Sequence, residues 1–294
     1  MRRGFATVIS DGLTIATETT RWGTSPAPAA LAVHATGFCK EVFRPVVGML
    51  ATLIDAGAVA SLDHRGHGSS DPSPLPVDWW DLGRDTLAVL AQIDDLQPGA
   101  VVGVGHSAGG AAVVMAELLA PGTFSSLVLI EPIVFPPPYR RMEDHAMVDA
   151  ALRRKRLFDS PAAAAENFAT KPTFAAWHPA ALADYVEHGL RPAAAGWVLA
   201  CDPEVEAEFY RTGPAHDAWD RLGELALPIT LIVGEHSDTH HGRYLETLAG
   251  RFGGDSLLDV VPAASHLVPM ERPELVAGHM ARRLHPSLTF GAPR

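Results

Sequence analysis

Val101-Val102-Gly103-Val104-Gly105-His106-Ser107-Ala108-Gly109-Gly110-Ala111-Ala112-Val113 is the stretch whose reading decides the fold. Residues 101–104 have the length and composition of a buried strand, and 107–119 reads as a helix that follows directly. Only Gly105-His106 is left to join the two. A strand-to-helix turn this short holds the Ser107 side chain outward in a strained backbone conformation and tolerates only small residues two before and two after it. Gly105 and Gly109 meet that demand. The helix start also presents free N–H groups, and the positive end of its dipole, beside the serine oxygen. The bare G-x-S-x-G spacing is a weak signal, shared with ordinary loops and phosphate-binding turns. The strand-turn-helix context is what marks Ser107 as a nucleophile.

Outward from this segment, strands and helices alternate. Before it come a hairpin (5–10 and 13–19 around Asp11-Gly12), strand 30–34, helix 42–56, strand 58–62 and helix 79–96. After it comes strand 126–130. The rhythm then breaks into candidate helices 142–157, 161–169, 179–189 and 203–210. It resumes with strand 229–233, a helix near 241–252, strand 256–261 and helix 273–284. Short apolar strands alternating with helices imply a doubly wound, mostly parallel α/β sheet covered on both faces. The expected division is a core of residues 1–134 and 220–294, with 135–219 as an inserted helical cap. In open α/β sheets ligands bind outside the carboxyl ends of the strands, where all the loops discussed next lie.

Of 294 residues, 47% are hydrophobic and 19% charged, enough for a large core. The formal net charge of −11 argues against nucleic acid, which needs clustered cations. The one basic run, Arg153-Arg154-Lys155-Arg156, reads as the solvated face of a helix. Two cysteines, Cys39 and Cys201, make no disulfide framework and fit a reducing, cytoplasmic setting. No signal peptide or membrane span is read from the chain. The expected partner is a small molecule, and a homodimer is carried forward as the assembly to test.

A serine needs a base. Among 14 histidines, His266 is the choice, since it follows the last strand and precedes the last helix. His279 and His285 read as surface residues. His236, His240 and His241 read as a polar loop, because metal-ligand spacing is absent. A base held in one tautomer needs a carboxylate. Asp238, after strand 229–233, leads, since Ser107, Asp238, His266 is the chain order expected of this arrangement. Glu235 in the same loop and Glu131 at the end of strand 126–130 remain alternatives. The oxyanion hole is assigned to the backbone N–H groups of Ala108 and Phe38. His34 is expected to fix the Phe38 loop by hydrogen bonds.

With these pieces in order, the chain resembles the α/β-hydrolase superfamily. The resemblance rests on His34-Ala-Thr-Gly37-Phe38, Asp63-His-Arg-Gly66-His-Gly68-Ser69-Ser70, Gly105-His-Ser107-Ala-Gly109-Gly110, Gly234-Glu-His-Ser-Asp238, and Ser265-His266 followed by Pro269 and Glu271-Arg272-Pro273. It implies an eight-stranded, mostly parallel sheet with a helical lid, and hydrolysis through an acyl-enzyme without cofactor or metal. Two departures stand out. The oxyanion loop is two residues longer than the commoner His-Gly form, which leaves its donor between Phe38 and Cys39. Asp238 follows Gly234 by four residues where three is commoner. Related epoxide hydrolases and haloalkane dehalogenases use Asp as nucleophile, so Ser107 points instead to an ester, thioester or lactone of a small to medium, mainly apolar substrate. C–C bond hydrolysis, cyclisation or acyl transfer on the same residues, and a non-catalytic binding protein, are the alternatives.

Overall fold

The computed structural model describes residues 1–253 and 255–286. Strands β1 (Arg2–Ser10) and β2 (Leu13–Trp22) form the opening hairpin. Then follow β3 (Ala29–Val33), α1 (Arg44–Leu53), β4 (Gly57–Leu62), α2 (Trp79–Gln92), β5 (Val101–His106), α3 (Ala108–Leu119) and β6 (Phe124–Ile130). The excursion between β6 and the next strand of the main sheet holds α4 (Ala146–Leu152), β7 (Leu157–Phe158), α5 (Pro161–Ala169), α6 (Pro179–His188), β8 (Leu190–Ala193), β9 (Gly196–Leu199), α7 (Pro203–Thr212) and α8 (Ala218–Arg221). The chain closes with β10 (Ile229–Gly234), α9 (Gly242–Arg251), β11 (Ser256–Val261), α10 (Val268–Glu271) and α11 (Pro273–Leu284).

The main sheet has eight strands in the order β1-β2-β4-β3-β5-β6-β10-β11. Pairings β1/β2 and β2/β4 are antiparallel and all the others parallel. Strand alternation splits the core in two. Val101, Leu127 and Leu129 face α2 and α3, while Val102, Val104, Val128 and Ile130 face α1 and α11. The register sets Val33 beside Gly105, and His106 beside Ile130. The loops after β3, β5 and β6 therefore open at one edge.

The excursion adds to the expected helical cap a small antiparallel sheet of β7, β9 and β8. The helix expected over 142–157 spans only Ala146–Leu152, so the basic run lies beyond its end. Arg153, Lys155 and Arg156 of that run are exposed as expected, but Arg154 turns inward. Arg154 bonds Glu206, and also Tyr185 Oη at 2.6 Å, and Tyr185 Oη donates to Gly37 O at 3.1 Å. The excursion thus holds the loop after β3 by a part-buried, charge-assisted chain. The segment read as helix 42–56 is a 3₁₀ turn, Lys40–Phe43, running into α1. Among the described residues no helix is long and apolar enough to cross a membrane.

Three buried histidines pin the loops after β3 and β4. His34 Nδ1–H donates to Ala35 O at 2.7 Å, and its Nε2 accepts from His64 N–H at 3.1 Å. His64 Nε2–H donates to His34 O at 2.8 Å. Gly37 N–H donates to His67 Nε2 at 2.9 Å, and His67 Nδ1–H donates to Arg65 O at 3.1 Å. Carbonyl acceptors and N–H donors fix these tautomers. Burial, and then the neighbouring histidines of the trio, pull all three below the usual histidine range, His67 to about 3.

Two predictions follow from this scaffold. A Cβ on Gly109 would lie 2.0 Å from Val33 O, whereas one on Gly278 in α11 meets nothing within 4 Å. Gly109→Ala should lower stability by roughly 2–4 kcal/mol, and Gly278→Ala should hold or raise it by up to about 1 kcal/mol. Denaturant midpoints check both, and equal midpoints for the two variants would refute the close-approach account. The histidines set a pH dependence. Unfolded, each takes a proton below about 6.5, while folded it stays neutral, so stability falls as pH drops below that value. For the three together the slope approaches roughly 4 kcal/mol per pH unit. A urea midpoint that does not change between pH 7 and pH 5 would contradict it.

Candidate active site

Ser107 stands between β5 and α3 with φ 56° and ψ −114°, a conformation that costs a non-glycine residue about 1–3 kcal/mol. Its neighbours hold it there. Ser107 N–H donates to Ile130 O at 2.8 Å, and Ser107 O accepts from Ile133 N–H at 3.1 Å and Ala111 N–H at 3.2 Å. A Cβ on Gly105 would meet Gly109 O at 2.2 Å, so the turn closes only around glycine. The side chain lies at the mouth of the sheet edge with 7% of its surface exposed. Ala108 opens α3, where its N–H has no partner within the helix.

His266 lies in the loop between β11 and α10. Two contacts fix that loop. His106, the residue just before the serine, donates from Nε2 to His266 O at 2.9 Å. Glu271 accepts from Ser265 N–H at 2.7 Å and Ser265 Oγ at 2.6 Å. Burial, and then the nearby His266, hold His106 down to about 3, so it acts here as a neutral donor.

The structure brings Glu131, not Asp238, to this histidine. His266 Nδ1–H donates to Glu131 Oε2 at 3.0 Å. Asp238 is exposed and accepts from Thr239 Oγ1 at 3.2 Å, and Glu235 accepts from Ala263 N–H at 2.9 Å. The physical reason is the path of the chain. Glu131 ends β6 in the left-handed region, with φ 51°, which turns its side chain inward under the loop after β10. That loop then carries Asp238 out to solvent and turns Ser237 inward. Glu131 is fully buried. Its Oε1 accepts from Gly234 N–H at 2.8 Å and its Oε2 from Ser237 Oγ at 2.7 Å. Burial alone would push the carboxyl up. The close approach of His240 and the hydrogen bond from His266 outweigh burial and hold it well below the usual carboxylate range.

His240, read from sequence as part of a polar loop, is buried, with Nδ1 2.7 Å from Glu131 Oε2. No local signal in His236-Ser-Asp-Thr-His240-His241 separates it from its exposed neighbours His236 and His241. His279, expected at the surface, is buried and bonds Asp259 at 2.6 Å, while His285 is half-buried. Among the described residues Glu131, His240 and His266 are also the set whose donor atoms, within 4.8 Å of one another, could hold a metal ion. Their N···O separations of 2.7 and 3.0 Å are hydrogen-bond lengths. Two ligands on one tetrahedral zinc, each bound at about 2.0 Å, would stand about 3.3 Å apart. The spacing fits shared protons better.

In the loop after β3, Phe38 N–H donates to Ala35 O at 3.3 Å, Gly37 N–H is taken by His67, and Lys40 N–H donates to Asp63 Oδ1 at 2.7 Å. Of the two donors left open by the sequence, Phe38 is thus engaged within its own turn. The Phe38 ring packs against Trp177, at 5.2 Å, and Tyr185, at 5.3 Å. Next to Trp177, His178 N–H donates to Met270 O at 2.7 Å, so this segment joins the loop that carries Phe38 to α10, which follows His266.

Comparison with known proteins agrees with this fold. The sequence profile of the alpha/beta hydrolase family matches residues 30–279. Lipase LipV of Mycobacterium tuberculosis is 28% identical over 271 residues, which are 90% of this chain and 97% of that protein. A type I acyl-CoA thioesterase, mpaH', of Penicillium brevicompactum is 30% identical over 112 residues, 35% of this chain. The match spans only 26% of that thioesterase's length. A peroxisomal alpha-beta-hydrolase of Saccharomyces cerevisiae superposes with a TM-score of 0.78 at 19% identity, over 100% of this chain and 91% of that one. By its sequence profile, its eight-stranded sheet and the turn that carries Ser107, the chain belongs to the alpha/beta hydrolase family.

Proposed function

We propose that the protein is a serine hydrolase that cleaves a carboxylic ester or thioester of a mainly apolar substrate through an acyl-enzyme on Ser107. The observation that carries this reading is the bond from His266 Nδ1 to the buried Glu131 carboxylate, at the sheet edge where Ser107 is held in its strained turn. With Nδ1 engaged, Nε2 is the nitrogen left to take the serine proton. Ser107 Oγ attacks the carbonyl carbon as His266 accepts its proton. Glu131 stabilises the imidazolium. His266 then returns the proton to the leaving alcohol or thiol. Water, deprotonated by His266, releases the acid in the second half-reaction. The acid role therefore passes from Asp238, the first choice from sequence, to Glu131.

Ala108 N–H is one oxyanion donor in this scheme, at the positive end of α3. The second comes from the Phe38–Cys39 peptide region. For Phe38 to serve, its 3.3 Å bond to Ala35 must give way to the stronger acceptor that forms in the transition state. Residues 135–219 act as the cap over a core of 1–134 and 220–294. Phe38, Trp177 and Tyr185 line its contact with the core, which suits an apolar acyl or alcohol group. The similarity to a lipase over nearly the whole chain, and to thioesterases over part of it, supports this substrate class.

A panel of p-nitrophenyl esters of increasing acyl length tests the scheme. Ser107→Ala should lower kcat by roughly 10⁴-fold or more and abolish fluorophosphonate labelling. Glu131→Gln should cost roughly 10³- to 10⁴-fold, while Asp238→Asn, at an exposed site, should stay within about twofold. Full activity in Glu131→Gln beside a dead Asp238→Asn would return the acid role to Asp238. Full activity in Ser107→Ala would overturn the mechanism.

A further inference from the structure

Glu131 Oε2 faces two histidines, and the mechanism uses only one. His240 is buried at the start of the segment leading into α9. Its Nε2 lies 3.0 Å from Pro132 O, a carbonyl that can only accept, so Nε2 carries a proton. Its Nδ1 lies 2.7 Å from Glu131 Oε2, off the line of an ideal hydrogen bond but at ion-pair distance. In the neutral Nε2–H tautomer, a nitrogen lone pair would press on a buried carboxylate. In the neutral Nδ1–H tautomer, a lone pair would press on the Pro132 carbonyl. Only with a proton on each nitrogen are both acceptors met. Backbone contacts hold the ring in place: His240 N–H donates to Ser237 Oγ at 2.8 Å, and the same Ser237 hydroxyl donates to Glu131.

The groups facing this ring come from four elements. Glu131 approaches from the end of β6. His266, its ring centroid 6.2 Å away, approaches from the loop after β11. His106 sits at the end of β5 and is neutral through burial. Tyr244 on α9 places its hydroxyl 3.5 Å from Nε2 while donating to Val134 O at 2.9 Å. His236, Asp238 and His241, in the same loop, are exposed. Among the described residues Glu131 is therefore the only buried anion against the ring.

We propose that His240 is a positioning residue that holds its second ring proton, on Nδ1, toward the Glu131 carboxylate, so that the acid of the site works as a neutral imidazolium–carboxylate pair. This rests on the assignment of Ser107, His266 and Glu131 above. At rest the buried pair carries no net charge. When His266 gains the serine proton and the tetrahedral oxyanion forms, the cluster is again neutral overall. The stored cation also opposes protonation of His266, which keeps the base free toward lower pH.

His240→Asn tests this, since its amide can still donate to Glu131 but carries no charge. The acid limb of kcat/KM should move to higher pH by about one unit or more, with the plateau falling less than about tenfold. A purely structural role, rescued by the amide donor, would leave the acid limb in place, and that result overturns the proposal. Nitrogen-15 spectra of the unaltered protein, labelled at histidine, give a readout that needs neither the variant nor activity. His240 should show two protonated ring nitrogens at pH 7–8. One unprotonated ring nitrogen there overturns the proposal even if the protein hydrolyses esters. Two protonated nitrogens in a protein without Ser107-dependent esterase activity would uphold the pair and sink the assigned function instead.

Discussion

A Cβ on Gly109 would lie 2.0 Å from Val33 O, and one on Gly105 would lie 2.2 Å from Gly109 O. The turn between β5 and α3 is packed directly on the backbone of β3, with no side chain between them. That contact sets the position of everything else at the sheet edge. It places the start of α3 beside the loop after β3, where Gly37, Phe38 and Lys40 are held by His67, Ala35 and Asp63. It leaves Ser107 no relaxed backbone conformation, so its hydrogen bonds to Ile130, Ala111 and Ile133 must offset the strain.

Glu131 poses the complementary problem. A carboxylate with no solvent exposure loses its hydration, and an unpaired charge there would cost several kcal/mol. The protein answers with donors from separate parts of the chain: Gly234 at the end of β10, Ser237 in the loop beyond it, and His266 after β11. Each donor is also a constraint on its own loop. The carboxylate thus ties together the ends of β6, β10 and β11, and the site and the edge of the sheet are stabilised by the same bonds. The excursion adds a further tie through Arg154, Tyr185 and Gly37. Its packing is thereby coupled to the loop beside the proposed oxyanion hole.

Much of this was legible in the residues. The strands and helices of the sheet domain announce themselves through short apolar runs and helical periodicity, and Gly105-His-Ser107-Ala-Gly109 marks the turn because only small residues fit there. His266 is legible from its place after the last strand. What misled was treating polarity as exposure. Arg154 sits in a run of four cations, His279 among arginines and His240 among polar residues, yet each has a specific partner, and the two histidines are buried. The short strands β7, β8 and β9 are likewise too brief to stand out from their helical surroundings.

The choice between Asp238 and Glu131 shows where sequence stops. Both follow apolar strands, both lie after Ser107 and before His266 in the chain, and either is chemically fit to hold an imidazole. The amino-acid sequence by itself determined the doubly wound sheet, the tight turn at Ser107 and the place of His266 at the same sheet edge, because those depend on local periodicity, small residues at a tight turn and position along the chain. Which carboxylate reaches His266, and that a second histidine shares it, was decided only by the tertiary structure. A left-handed residue at 131 turns one side chain inward while the loop after β10 carries the other into solvent. Such a difference of backbone direction leaves no mark in composition or spacing.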